Sequence, residues 1–219
     1  MKKYELTAEF IEKWGKKLFR IKALISFGSV EAGELGGYVE KEDNLAQTGN
    51  AWVYGDAEVY GNARVSGNAR VYGTARVSGD AEVYGDAEVY GTAWVSGNAR
   101  VYGDAEVSGT ARVSGDAEVS GDARVSGDAE VSGNADYLLI GRIGSRFSFT
   151  TFFKNKDKGI TVSCGCFLGT IAEFRAKVTD THGNNKHAKI YNLAADMAEL
   201  QILGEEHFDK LNTNKSESF

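Results

Sequence analysis

Gly49-Asn50-Ala51-Trp52-Val53-Tyr54 runs straight into Gly55-Asp56-Ala57-Glu58-Val59-Tyr60, and the phrase recurs every six residues as far as Ser132. There are 14 copies without insertion or deletion, each with Ala in third place and Val in fifth. Within Ala-x-Val the period is two, so Ala and Val face one side and the residue between them faces the other. Gly followed by Asp, Asn or Thr makes a corner. Gly adopts positive φ freely, and Asn or Asp can bond its own backbone. Six residues per flat side, kept in step from Gly49 to Ser132, describe a parallel β-solenoid rather than a sandwich.

The outward residues decide how many sides a coil has. With three hexads per coil, stacked neighbours read Arg64, Glu82, Arg100, Glu118 on one side. A second side reads Glu58, Arg76, Trp94, Arg112, Glu130, and the third Trp52, Arg70, Glu88, Glu106, Arg124. That stacking makes seven opposite-charge neighbours, three Arg–Trp neighbours and one like pair, Glu88 over Glu106. With two hexads per coil there are four opposite and five like pairs. Strands about 4.8 Å apart favour opposite charges, and Arg over Trp adds a cation–π attraction. Three sides follow, and with them a coil of eighteen residues.

Working outward, residues 1–48 read as a cap and lead-in coil over the open end of the solenoid. In it Tyr4-Glu5-Leu6 and Leu18 to Leu24 are short strands or helix pieces, and Val39 and Leu45 fall in the inward Ala phase. Beyond Ser132 that phase persists with larger fillers, Ala135/Tyr137, Gly141/Ile143 and Phe147/Phe149, which carries the β-helix to residue 150. Residues 151–204 then read as a small C-terminal α+β domain. Lys154 to Gly159 is a polar hairpin turn, Thr170-Ile171-Ala172-Glu173 a capping box opening a helix to His182, and Asn185–Leu203 a second helix. Residues 205–219 read as a flexible tail.

The 219 residues carry 27 glycines, no proline, two cysteines and a net charge of −6. An acidic chain argues against binding nucleic-acid polymers. No apolar run is long enough for a membrane helix, and Met1-Lys2-Lys3 opens on no apolar leader. Two cysteines make no disulfide framework. A cytoplasmic protein is the expectation.

The phrase Val59-Tyr60-Gly61-Asn62-Ala63-Arg64 and its copies resemble the hexapeptide repeat of left-handed β-helix proteins, a superfamily of many acyltransferases and the γ-class carbonic anhydrases. The run Leu35-Gly36-Gly37-Tyr38-Val39-Glu40-Lys41-Glu42-Asp43-Asn44-Leu45 and the later Cys164-Gly165-Cys166-Phe167 are similar to hexapeptide-repeat proteins of phages, prophages and their hosts that carry a transferase label. The left hand of the coil and assembly as a homotrimer are what this resemblance implies.

Chemistry-bearing residues are sparse. The acyltransferases it resembles place a general-base His on or near a coil, and the carbonic anhydrases use three His on zinc. Here no His precedes His182, so no coil offers a base within reach of a substrate. Cys164, Cys166, His182 and His187 have spacing that could hold zinc. The C-x-C gap is tighter than usual for zinc, however, and the favoured reading is two small buried side chains on one strand face, beside Val162 and Leu168, and a helix C-terminal cation. Between 139 and 160, Arg142, Arg146, Lys154, Lys156 and Lys158 stand against Asp157 alone, interleaved with Phe147, Phe149, Phe152 and Phe153. Arg142, Arg146, Phe147, Phe149, Lys154, Lys156 and Lys158 are therefore the candidate site for an anionic small molecule, against a plain Lys turn over a Phe core. Trp52, Tyr54, Tyr72, Tyr90 and Trp94 are candidate interface residues. Thr74, Thr92 and Thr110 form another column at the same spacing.

The expectation is a non-catalytic binding or interaction protein of phage type without a cofactor. It would capture an anionic ligand such as a nucleotide, as a counter-defence, or a host protein. The alternatives are a CoA-dependent acyltransferase, acting through His182 or His187, and a virion or scaffold component.

Overall fold

The computed structural model describes residues 2–206. They form two compact units that divide after Asp128. The expected tail lies outside the described residues from His207 on.

In the first unit each hexad contributes one two-residue strand, from β4 (Trp52–Val53) to β16 (Arg124–Val125). Each strand pairs in parallel with the strand three hexads away, on three sides. Trp52, Arg70, Glu88, Glu106 and Arg124 stack on one side, and Glu58, Arg76, Trp94 and Arg112 on another. Arg64, Glu82, Arg100 and Glu118 stack on the third. This three-sided parallel β-solenoid has the coil length that the charges demand. Its interior is a column of alanines and valines with no exposed surface, and each coil donates its N–H groups to the next, as in Arg76 N to Ala93 O at 2.9 Å.

Corner glycines hold φ between +59° and +74°. At Gly85 a Cβ would stand 2.9 Å from the backbone nitrogen of Gly103 in the next coil, so both conformation and space require Gly. The residues after them form ladders: Asn50 donates to Asn68 and Asn68 to Asp86, each at 3.0 Å. The Thr column is explained in the same way, Thr92 Oγ1 donating to Gly109 O at 2.9 Å. The one like pair is relieved by the next residues up and down the same column. Glu88 pairs with Arg70 and accepts from the Tyr72 hydroxyl, while Glu106 pairs with Arg124 at 3.3 Å.

The cap is an antiparallel sheet, not helix pieces. Strand β1 (Tyr4–Lys13) pairs with β2 (Lys16–Ala23), and β2 with β3 (Leu35–Val39), which continues in parallel onto the Glu58–Val59 strand. Counting by hexads puts Val39 and Leu45 in Ala slots. Instead Val39 pairs with Val59 and Leu45 with Val65. The lead-in coil is two residues longer than the rest, and because the strand period is two the side chains still face inward. Trp52, expected as an outward interface residue, is fully buried. The rings of Tyr4 and Phe27 meet it edge-on at 6.0 and 5.4 Å.

The second unit opens with the last copy of the repeat, β17 (Glu130–Val131). The solenoid does not continue to residue 150. Asp136 closes a short 3₁₀ turn by accepting from Ser132 N, Ser132 Oγ and Gly133 N at 2.9, 2.7 and 3.1 Å. Burial pushes the Asp136 carboxyl up, but these bonds and Lys154 outweigh it and hold it below the ordinary value. After that turn the chain forms an antiparallel sheet of β18 (Tyr137–Ile143), β19 (Ser148–Lys154), β20 (Ile160–Cys164) and β21 (Phe167–Thr170). Phe rings do not fit slots shaped for Ala and Val; Phe147 is 71% exposed.

Helices α1 (Ile171–His182) and α2 (Lys186–Leu203) complete the α+β fold. The capping box at Thr170 and Glu173 forms as its spacing predicts, and Asn185 caps α2 through His187 N and Ala188 N. Arg175 ties the helices together, bonding Asp196 at 2.8 Å and Glu199 at 2.7 Å. Phe152, Phe174 and Tyr191 meet edge-to-face at 5.7 and 5.6 Å, centring a core with Ile160, Val162 and Ala195.

Candidate functional site

The second unit contains a cavity of about 350 Å³, within the range of small-molecule sites. It is lined by the β18–β19 turn, the end of β20, Phe167 of β21, one face of α1 from Phe174 to His182, and Tyr191 of α2. Its floor is Phe167, Phe174 and Val178, and Arg146, Lys177 and His182 also line it. Among the described residues no carboxylate does. Low-polarity walls carrying an arginine and a lysine, with no opposing acid, favour an anion that carries an apolar part.

Cys164 and Tyr191 meet in the same cavity. Thr150 Oγ1 donates to Cys164 Sγ at 3.2 Å. Burial and the charge and hydrogen bond of Cys164 push the Tyr191 phenol up to about 12, against a smaller opposite pull from Arg146. Tyr191 therefore stays neutral at physiological pH and acts as a donor. The His182 ring lies over it at 5.7 Å, inclined by 28°.

Of the candidate anion-binding residues, the cavity gathers only Arg146. Arg142 is exposed on β18 with its guanidinium 6.0 Å from the Phe149 ring centroid. Lys154 is paired with Asp136 at 3.0 Å. Lys156 and Lys158 sit in the β19–β20 turn, at the other end of a seven-residue strand and so about 20 Å from Arg146. The basic run is contiguous in sequence but divided in space, because a strand puts its two ends on opposite edges of the sheet.

Nor do the cysteines share a strand face. Gly165, at φ +60°, and Cys166 make the two-residue turn between β20 and β21. Cys166 is thus exposed at the tip while Cys164 is half-buried, and Leu168 beyond them is exposed. The rings of His182 and His187 lie 5.8 Å apart. Among the described residues no group of three or more His, Cys, Asp or Glu is placed to hold a metal.

Lys177 and Tyr191 are not among the residues that the sequence singles out. A signal was present: Phe174, Lys177, Val178, Thr181 and His182 follow the i, i+3, i+4, i+7, i+8 spacing of one face of the helix the capping box announces. All five line the cavity.

Among the interface candidates, Tyr72 and Tyr90 stack in parallel at 4.8 Å, while Tyr54 bonds Ser29 at 3.2 Å. Burial, then the bond to Glu88, raises the Tyr72 phenol well above its ordinary value. Trp94 lies 5.2 Å from the Arg76 guanidinium and donates to Ser78 Oγ at 2.9 Å.

Three stretches of the first unit, 57–73, 63–79 and 93–109, match the YdcK beta solenoid repeat family. The chain carries β-solenoid repeats. Each match starts on an inward alanine and ends on a corner glycine, and so spans three Ala-x-Val sides, one turn of the coil. A search of curated proteins finds no match to the chain. Among the described residues no helix is long and apolar enough to cross a membrane.

Proposed function

We propose that this is a binding protein whose C-terminal unit captures a small anion bearing an aromatic or apolar group, a nucleotide being the type that fits. The observation that carries the reading is the acid-free cavity that sets Arg146 and Lys177 around Phe167 and Phe174. The proposal includes the finer kinship with phage and prophage hexapeptide proteins, on the Leu35–Leu45 and Cys164–Phe167 motifs. Cytoplasmic residence and self-association through a flat solenoid wall belong to it as well.

The test is calorimetric titration of the full chain with adenosine monophosphate and with inorganic phosphate. Binding of the nucleotide, weakened about tenfold in each of Arg146→Ala and Lys177→Ala and unchanged in Lys158→Ala, supports the reading. No heat with either compound, or equal affinity in all variants, overturns it.

Acyl transfer keeps one specific support, since Cys164 and His182, a nucleophile type and a base type, line one cavity. That reading requires acetyl-CoA turnover that His182→Ala abolishes. Binding without turnover decides against it.

A further inference from the structure

Helix α2 has two apolar faces, and the fold of the second unit uses one. Tyr191, Ala195 and Ile202 are buried in its core. On the other side Leu193, Met197 and Leu200 are 63%, 57% and 46% exposed. At i, i+4 and i+7 they form one stripe along the helix. The outer side of a surface helix ordinarily carries charged and polar residues. A contiguous apolar stripe there marks an interaction surface.

The charges at the two ends of the stripe define what covers it. Lys186 opens α2 and Lys189 follows it, seven and four residues before Leu193 and so on the same side of the helix. Both are exposed, as is Glu205 just beyond Gly204, where α2 ends. The helix dipole favours the reverse order, acids at the amino end and bases at the carboxyl end. No acidic residue lies in the first turn of α2 and no basic residue in the last. A second copy laid antiparallel corrects both ends. With the twofold axis at Met197, Leu193 of one copy comes beside Leu200 of the other. Lys189 lies eight residues before Met197 and Glu205 eight after it. Each Lys189 therefore meets Glu205 and the negative helix end of the other copy. A parallel pair would set lysine against lysine and glutamate against glutamate. The stripe is its own complement in one orientation only.

We propose that the outer face of α2 binds a second copy of this chain as an antiparallel helix pair, with Leu193, Met197 and Leu200 at its centre and Lys189–Glu205 pairs at its ends. Such an isologous contact makes every pair twice. It does not rest on self-association through the solenoid wall.

Sedimentation of the full chain over micromolar concentrations is the test. Leu193→Gln and Leu200→Gln together lower the particle mass by at least half, whatever the wall does. Both side chains are exposed, so the core is untouched. Lys189→Glu or Glu205→Lys alone turns two attractive contacts into repulsive ones and weakens pairing about tenfold. The two changes in one chain restore it. Each single change suits the dipole of its own helix, so loss of pairing is not loss of folding. An unchanged mass in the leucine variant overturns the proposal and gives the stripe to residues 207–219 or to a different protein. A lowered mass in that variant, with no rescue by the paired charge reversal, overturns it as well, because the pairing is then not antiparallel.

Discussion

The solenoid is built by repeating one solution, and the C-terminal unit by never repeating one. In the first, each valine has a valine above and below it, and each corner glycine lies against the next. In the second, Phe174 alone meets Phe152, Phe167 and Tyr191, and a single arginine joins both helices. Repetition spreads stability evenly and leaves walls that are flat. Concavity appears where the period breaks: under the hairpin that covers Glu58, and between a sheet and a helix that owe nothing to the hexad.

The largest effect should come from the unrepeated unit. Phe174→Ala removes three ring contacts at once and costs about 3–5 kcal/mol. Val95→Ala in the solenoid costs about 2 kcal/mol, spread over neighbouring coils. Hydrogen exchange read by peptide checks the contrast. Protection should be lost across 150–203 in the first variant and stay high across 60–110. Equal loss in both regions would mean that the two units are one cooperative structure.

Corner glycines sharpen the comparison. Gly85→Ala forces a left-handed backbone on alanine and drives its Cβ against Gly103, costing about 3 kcal/mol. Gly133 holds the same place in the six-residue count, but there the backbone is extended and a Cβ would meet nothing within 4 Å. Gly133→Ala should be close to neutral in thermal denaturation. A penalty as large as that of Gly85→Ala would mean that the coil continues past Ser132.

The same division explains what was legible in the sequence. A hexad names its own neighbours, so the tally of opposite and like charges down the outward columns is enough to set the coil length. The capping box announces α1, being local. Three things were hidden because they depend on what folds over what. Trp52 and Glu58 occupy ordinary outward positions and are buried only because the cap lies on them. Phe147 and Phe149 keep the inward phase, yet ring volume excludes them from slots sized for Ala and Val. Arg146 and Lys158 are neighbours in composition, but β19 carries them to opposite edges. Lys177 was accessible in principle through helical spacing, whereas Tyr191 reaches the cavity only through the packing of α2.

The cap gives a pH signature that the repeats lack. Lys3 is buried, its ammonium donating to Ala51 O at 2.9 Å, and burial pulls its pKa from 10.5 to about 8. Between those values the unfolded chain binds the extra proton, so stability rises with pH from about 8 to about 10 by on the order of 2 kcal/mol, and is flat just below. Above 10 the trend reverses. Tyr4, raised by burial and then by Glu42 and Asp43, and Tyr72 keep their protons in the fold after the unfolded chain has lost them. Denaturant midpoints from pH 7 to 11 should pass through a maximum near 10, and Lys3→Met should remove the rising limb. A rising limb that survives in Lys3→Met would place its origin in another group.

The smallest effect belongs on the wall, at the one like pair the repeat tolerates. Glu106→Gln relieves the repulsion from Glu88 but weakens the pairing with Arg124 at 3.3 Å and the bond from the Tyr90 hydroxyl. All these groups are partly in water, where each such contact is worth at most about 1 kcal/mol and salt screens it. The gains and losses have similar size and opposite sign, so the change should stay within about 0.5 kcal/mol at low and high salt alike. A larger loss at low salt would show that the column of charges does more than fix the register. In that case the solenoid side Trp52–Arg124 would owe measurable stability to its exterior, and the Ala and Val column could no longer be taken as the source of nearly all of it.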